Sequence, residues 1–154
     1  MRFRSNIFDI IVNILCVIQL VGIVLYLIIT WSSIPDQIPG HFNAAGEVTR
    51  WDGKISLIFL PILAWVLFIG MSVLERFPQV WNTGVRITEE NKFRVYRVLK
   101  NLLRTVKLLI VTLFVLITIF QSLAQSMPVW CLPVFLSLLF VFIIYNIFRL
   151  LRAR

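Results

Sequence analysis

The chain alternates long apolar runs with short polar segments. Apolar side chains dominate 7–31, 55–74, 108–124 and 128–148. A helix needs about 20 apolar residues to cross the roughly 30 Å hydrocarbon core of a bilayer, and each run is close to that length. Lipid offers the backbone no hydrogen-bonding partner, so each run is expected to be helical. Short connections set neighbouring spans antiparallel. The pattern therefore predicts an all-α membrane protein, a four-transmembrane-helix bundle forming a single membrane domain over 1–154. The first run is longer than the apolar region of a cleavable signal peptide and no small-residue cleavage site follows it, so it reads as a retained span.

The segments between the runs differ in kind. The connection 32–54 is turn-rich, with Pro35, Pro39, Gly40, Gly46 and Gly53. Asn43, Ala44, Ala45 and Gly46 suit a four-residue turn in which Gly46 takes a positive φ. His41 and Phe42 on one side, and Val48 through Trp51 on the other, would form a small hairpin. A lone two-stranded hairpin is marginal in water, so it is expected to rest on the mouth of the bundle. Pro61 and Pro133 fall inside the second and fourth runs. Each removes a helical hydrogen bond, and two kinks would open a crevice beneath the hairpin.

The connection 75–107 carries a helical signal instead. Thr88 suits an N-cap, with Glu89 and Glu90 at the positive end of the helix dipole. Phe93, Tyr96, Leu99, Leu103 and Val106 recur at three- and four-residue spacing, while Lys92, Arg94, Arg97, Lys100, Arg104 and Lys107 fill most other positions. This is a basic amphipathic helix, which the third span is expected to continue and which can lie on the membrane surface before turning into that span. Lys92, Arg94, Arg97, Lys100 and Arg104 are the candidate lipid or partner contacts. The bland alternative is an anchor that only meets anionic lipid.

Charge adds an orientation. The net charge is +8, and all of the fifteen Lys and Arg residues except Arg50 and Lys54 precede the first run, lie in 75–107, or follow the fourth run. Lys and Arg are retained on the cytoplasmic side. Both termini and the basic helix are therefore expected in the cytoplasm, and the hairpin outside, in a bacterial cytoplasmic (inner) membrane. Trp31, Trp51 and Trp130 fall where spans would meet the outer face, as interfacial indoles do. The basic residues need no nucleic acid to explain them.

Little in the chain points to catalysis or a cofactor. No nucleophile elbow, phosphate-binding glycine loop or metalloprotease helix is present. His41 is the single histidine, too few for a typical zinc site even with Asp36, Glu47 and Asp52 nearby. It is expected to pin the loop by hydrogen bonding, with Asn43 as a partner, although a pH-sensing role also fits its chemistry. The three carboxylates read as solvated loop charges or partners of Arg50 and Lys54. Cys16 and Cys131 sit in apolar runs and read as small buried residues. Asp9, Asn13 and Cys16 share one helix face. That face is either a polar pathway or a site of interhelical hydrogen bonding with Asp9 at the interface.

The outer connection also resembles a known family. Ile34, Pro35, Ile38, Pro39, His41, Phe42, Asn43, Ala44, Ala45, Gly46, Glu47 and Trp51 stand in the order and spacing of a widespread uncharacterised bacterial membrane domain. That domain also forms the N-terminal part of the immunity protein for the sporulation-delaying toxin of bacilli. Ile87, Thr88, Glu89, Glu90 and Asn91, followed by Arg94, Tyr96 and Arg97, are similar as well, so the resemblance covers roughly 7–123. It implies a non-enzymatic binding, sensing or toxin-immunity module without a cofactor. Its outer loop (Pro39, His41, Phe42, Asn43, Gly46 and Trp51) would meet an extracellular peptide or toxin, and its basic side a cytoplasmic regulator. A small membrane enzyme, or an accessory subunit of a transporter or other complex, is the alternative.

Overall fold

The computed structural model describes residues 7–153; Arg2, Arg4 and Arg154, counted above among the basic residues, lie outside the described residues. Helix α1 spans Ile7–Thr30 and ends in a 3-10 turn at Trp31–Ser33. Strands β1 (Gln37–Phe42) and β2 (Val48–Gly53) pair antiparallel, and a 3-10 turn at Lys54–Ile58 leads into α2, Phe59–Leu74. After a further short turn at Pro78–Val80, α3 covers Lys92–Ser122 and α4 covers Cys131–Arg152. Counting the turn before α2 with its helix, four helices among the described residues are long and apolar enough to cross a membrane. The chain is a multi-pass membrane protein built as a four-helix bundle with one small hairpin.

Helix α3 is the central element. It packs against α1, α2 and α4, whereas α4 packs mainly on α3. The core reflects this, with Val12, Cys16 and Leu20 of α1, Ala64 of α2 and Val111 of α3 buried together, and Trp65, Phe68 and Phe114 around them. Small Cys16 and Ala64 let helix backbones approach closely, the usual means of tight packing where no hydrophobic gain distinguishes neighbour from lipid. Most other apolar side chains on α1, α2 and α4 point outward, as helices surrounded by lipid require.

At 31 residues α3 is about 46 Å long, well over the hydrocarbon thickness, so its basic first turns project beyond the apolar slab. Its start is a reciprocal cap. Thr88 Oγ1 accepts from the Asn91 amide at 3.3 Å, and Asn91 Oδ1 accepts from the Thr88 amide at 2.8 Å. The N-cap position itself is Asn91 rather than the expected Thr88, and Thr88 closes the turn that leads into it.

Three expectations change. First, the basic stretch is the unbroken beginning of α3, as the expected continuity of helix and span requires, and it does not turn before the span, because no Gly or Pro interrupts 92–122. Second, the side of α3 carrying Tyr96, Leu99 and Leu103 does not face lipid. The α2–α3 connection folds over it, with Trp81 edge-on to Tyr96 at 5.9 Å and Val80 and Trp81 beside Leu99 and Leu103. Third, Pro61 and Pro133 do not interrupt their α-helices. Each is the third residue of its α-helix, in the first turn, where an amide lacks a partner within that helix.

Candidate functional site

The hairpin is held on the bundle from both sides. Its first strand buries Ile38 against Leu27, Ile34 and Leu57. Its tip docks on the α3–α4 connection, where the Met127 amide donates to the Gly46 carbonyl at 2.9 Å. Gly46 has φ +81°, and a Cβ there would overlap the Met127 carbonyl. Two constraints therefore require glycine, the left-handed backbone and the close approach. Asn43 organises the turn above it. Its Oδ1 accepts from the Ala45 and Glu47 amides at 2.9 and 3.0 Å, and its Nδ2 donates to the Glu47 carboxylate at 2.8 Å.

His41 is engaged differently from the expectation. Its Nδ1 lies 2.7 Å from Thr49 Oγ1 on the opposite strand, and Asn43 has other partners. A bulge between Pro39 and His41 and another between His41 and Phe42 set this arrangement, and the sequence pattern did not disclose them. Arg50 pairs with Asp52 at 2.8 Å. Lys54 donates to the Ile34 carbonyl at 2.9 Å and sits 5.0 Å from the Trp31 ring centre.

Between the hairpin and the ends of α2, α3 and α4 lies a cleft of about 660 Å³. His41, Phe42 and Asn43 line it, with Arg50, Asp52 and, from α3, Gln121. Of the sequence-selected loop residues, Pro39 is instead buried under the hairpin, Gly46 is spent on docking, and Trp51 is 52% exposed outside the cleft. Gln121 is only 7% exposed, and its Oε1 has no hydrogen-bond partner among the described residues. A buried unpaired amide oxygen costs about 1–3 kcal/mol. Sequence reading missed Gln121, which stands near the end of an apolar run where a polar residue reads as a boundary. A crevice below the hairpin is present, as expected.

A second polar cluster lies at the other end of the bundle and ties three helices together. Lys107 of α3 is 1% exposed, and its ammonium donates to Asn13 Oδ1 (2.8 Å), Ser72 Oγ (3.1 Å) and Glu75 Oε1 (2.6 Å). Those three acceptors match its three donors. Arg104 bridges Glu75, at 3.0 Å, and Asp9, and Lys100 lies 3.9 Å from Asp9. Asp9 is thus buried in an ion pair rather than sitting at an interface, and Asn13 makes the expected interhelical bond. Lys100 and Arg104 turn into the bundle, while Arg94 and Arg97 remain exposed and Lys92 pairs with Glu89. The missed member is Glu75, which reads as a loop charge from sequence. The available signal was the spacing of Lys100, Arg104, Lys107 and Val111, one face of a helix whose cations require acids at equal depth. Among the described residues no three His, Cys, Asp or Glu side chains stand together as a metal site.

Comparison with known proteins agrees with this class of molecule. Residues 18–65 match a Domain of unknown function (DUF1648), a stretch that runs from the middle of α1 through the hairpin into α2. An uncharacterized protein of Archaeoglobus fulgidus is 28% identical over 81 residues, covering 47% of this chain and 44% of the relative. The chain thus spans less than half the length of that relative. No solved structure matches. Both similarities fit an uncharacterised membrane family.

Proposed function

We propose that this protein is a non-enzymatic binding module of a bacterial cytoplasmic membrane, with its termini and basic end in the cytoplasm and its hairpin outside. In this reading the cleft beneath the hairpin takes a polar segment of an extracellular peptide or toxin. The observation that carries it is Gln121, which lines that cleft beside His41, Asn43 and Arg50 and whose buried Oε1 has no hydrogen-bond partner among the described residues. A peptide amide donates to such an oxygen, and Phe42 and Phe59 offer apolar walls for side chains. The loop resemblance to an immunity protein supports the same reading, and the distribution of Lys and Arg supports the orientation.

The test is sensitivity to membrane-active peptides, including any toxin encoded beside the gene. Cells lacking the protein are expected to lose resistance, and Gln121→Ala with His41→Ala to behave like the deletion at unchanged protein level. Unaltered sensitivity of the deletion strain across such peptides and the neighbouring toxin contradicts the reading. A second reading, an accessory subunit of a larger complex, draws on the bare apolar side of α4. It predicts a stoichiometric partner on gentle purification.

A further inference from the structure

At the end opposite the hairpin, α3 and α4 enclose a second cleft, of about 400 Å³. Four arginines line it, Arg94 and Arg97 from the first turns of α3 and Arg149 and Arg152 from the last turn of α4. Val98 and Ala153, both buried, and the ring of Tyr145 complete its walls. Among the described residues no carboxylate lines this cleft, and none of the four arginines has an ion-pair partner there. Of the acids at this end, Asp9 and Glu75 belong to the buried network, Glu89 pairs with Lys92, and Glu90 is exposed outside the cleft. Four like charges converging on one cavity repel one another unless an anion enters.

The residue types narrow the anion. The lysines of α3 at 92, 100 and 107 point elsewhere, and the cleft holds arginine alone. A guanidinium presents a planar fork that matches two phosphate oxygens at once, which an ammonium does not. Arg149 is further held over the Tyr145 ring, 5.7 Å from its centre, a cation–π contact that limits its freedom in advance.

The surroundings identify the source. The cleft opens where α4 leaves its apolar stretch, and Ile144, Ile147, Phe148 and Leu151 next to the arginines are all exposed. A phosphate carrying acyl chains would satisfy both surfaces together, the headgroup among the guanidiniums and the chains along α4. We infer that the α3–α4 cleft is a binding site for the phosphate headgroup of an anionic phospholipid, held by Arg94, Arg97, Arg149 and Arg152. The proposal is independent of the hairpin cleft, since no residue is shared.

The test uses the full chain in lipid nanodiscs of phosphatidylcholine mixed with phosphatidylglycerol or cardiolipin, with retained lipid measured by native mass spectrometry. Wild type is expected to retain the anionic lipid over phosphatidylcholine. Arg94→Gln combined with Arg149→Gln, one from each wall, should lower retention by about fivefold per arginine removed. Arg97→Gln with Arg152→Gln should do the same, and an unchanged helical circular-dichroism signal in each variant separates loss of the site from loss of the fold. Arg76→Gln with Arg86→Gln, exposed at the same end but outside the cleft, should leave retention unchanged. Equal loss in the two kinds of double variant overturns the proposal in favour of a diffuse basic surface. Full displacement of the lipid by millimolar inorganic phosphate overturns it in favour of a soluble anion. Retention of anionic lipid and phosphatidylcholine alike overturns it outright.

Discussion

The two ends of the bundle hold their polar groups in opposite ways. At the basic end, the carboxylates of Asp9 and Glu75 and the cations of Lys100, Arg104 and Lys107 are drawn inward into one ion-pair network, and the three donors of Lys107 each meet an acceptor. At the hairpin end the Arg50–Asp52 pair lies at the surface, and neutral contacts dock the tip and the first strand. Tyr26 and Ser122 hydroxyls meet at 3.0 Å, the Gly46 carbonyl meets the Met127 amide, and Ile38 fills an apolar socket. There one buried oxygen, on Gln121, is left open. A cluster cross-linked in this way resists change and reads as a clamp joining α1, α2 and α3. An unmatched group beside a cavity reads as a place for a ligand. Polar residues at membrane depth invite a functional reading, and their pairing separates the two roles.

The comparison can be broken most sharply at Glu75. Glu75→Gln strips the anion from Lys107 and one partner from Arg104, and removing one side of a buried ion pair costs about 3–5 kcal/mol. Unfolding in detergent should fall accordingly, whereas a loss below about 1 kcal/mol would show that the cluster is not a clamp. At the hairpin end Gly46→Val forces a β-branched residue into positive φ against the Met127 carbonyl. It should cost about 1–3 kcal/mol and release the tip, seen as faster amide exchange at Asn43 and Met127. Thr88→Ala removes the hydroxyl that closes the turn leading into α3 and should cost about 1 kcal/mol, with new proteolysis confined to the α2–α3 connection. Asp52→Asn breaks only an exposed pair with Arg50 and should stay within about 1 kcal/mol. Pro61→Ala should change the least, leaving reagent access to a cysteine at Ser56 in the cleft unaltered. A narrowed cleft would mean the proline shapes it after all.

What the sequence disclosed follows the range of the forces involved. The spans were legible because a bilayer demands some 20 apolar residues in a row, and α1 ends within a residue of the expected boundary. The turn was legible because Asn43 and Gly46 act on their own neighbours, and the start of α3 near Thr88 because a capping turn is equally local. The buried cluster was not, since Asp9, Glu75 and Lys107 come from three helices and become partners only after packing. The covering of Leu99 and Leu103 by Val80 and Trp81 escaped notice for the same reason. A helical period shows that a face is apolar and leaves open whether lipid or protein covers it. Gln121 could not be recognised, because an unpaired oxygen is a property of its surroundings.

The most direct test is the sidedness on which both clefts depend. Single cysteines at Ala45, on the exposed hairpin tip, and at Glu90, on the exposed approach to α3, are treated with a membrane-impermeant maleimide in intact cells, the native Cys16 and Cys131 being buried. Labelling at position 45 in intact cells, and at position 90 only after permeabilisation, is the predicted result. Labelling of both positions in intact cells, or of position 90 alone, would contradict it.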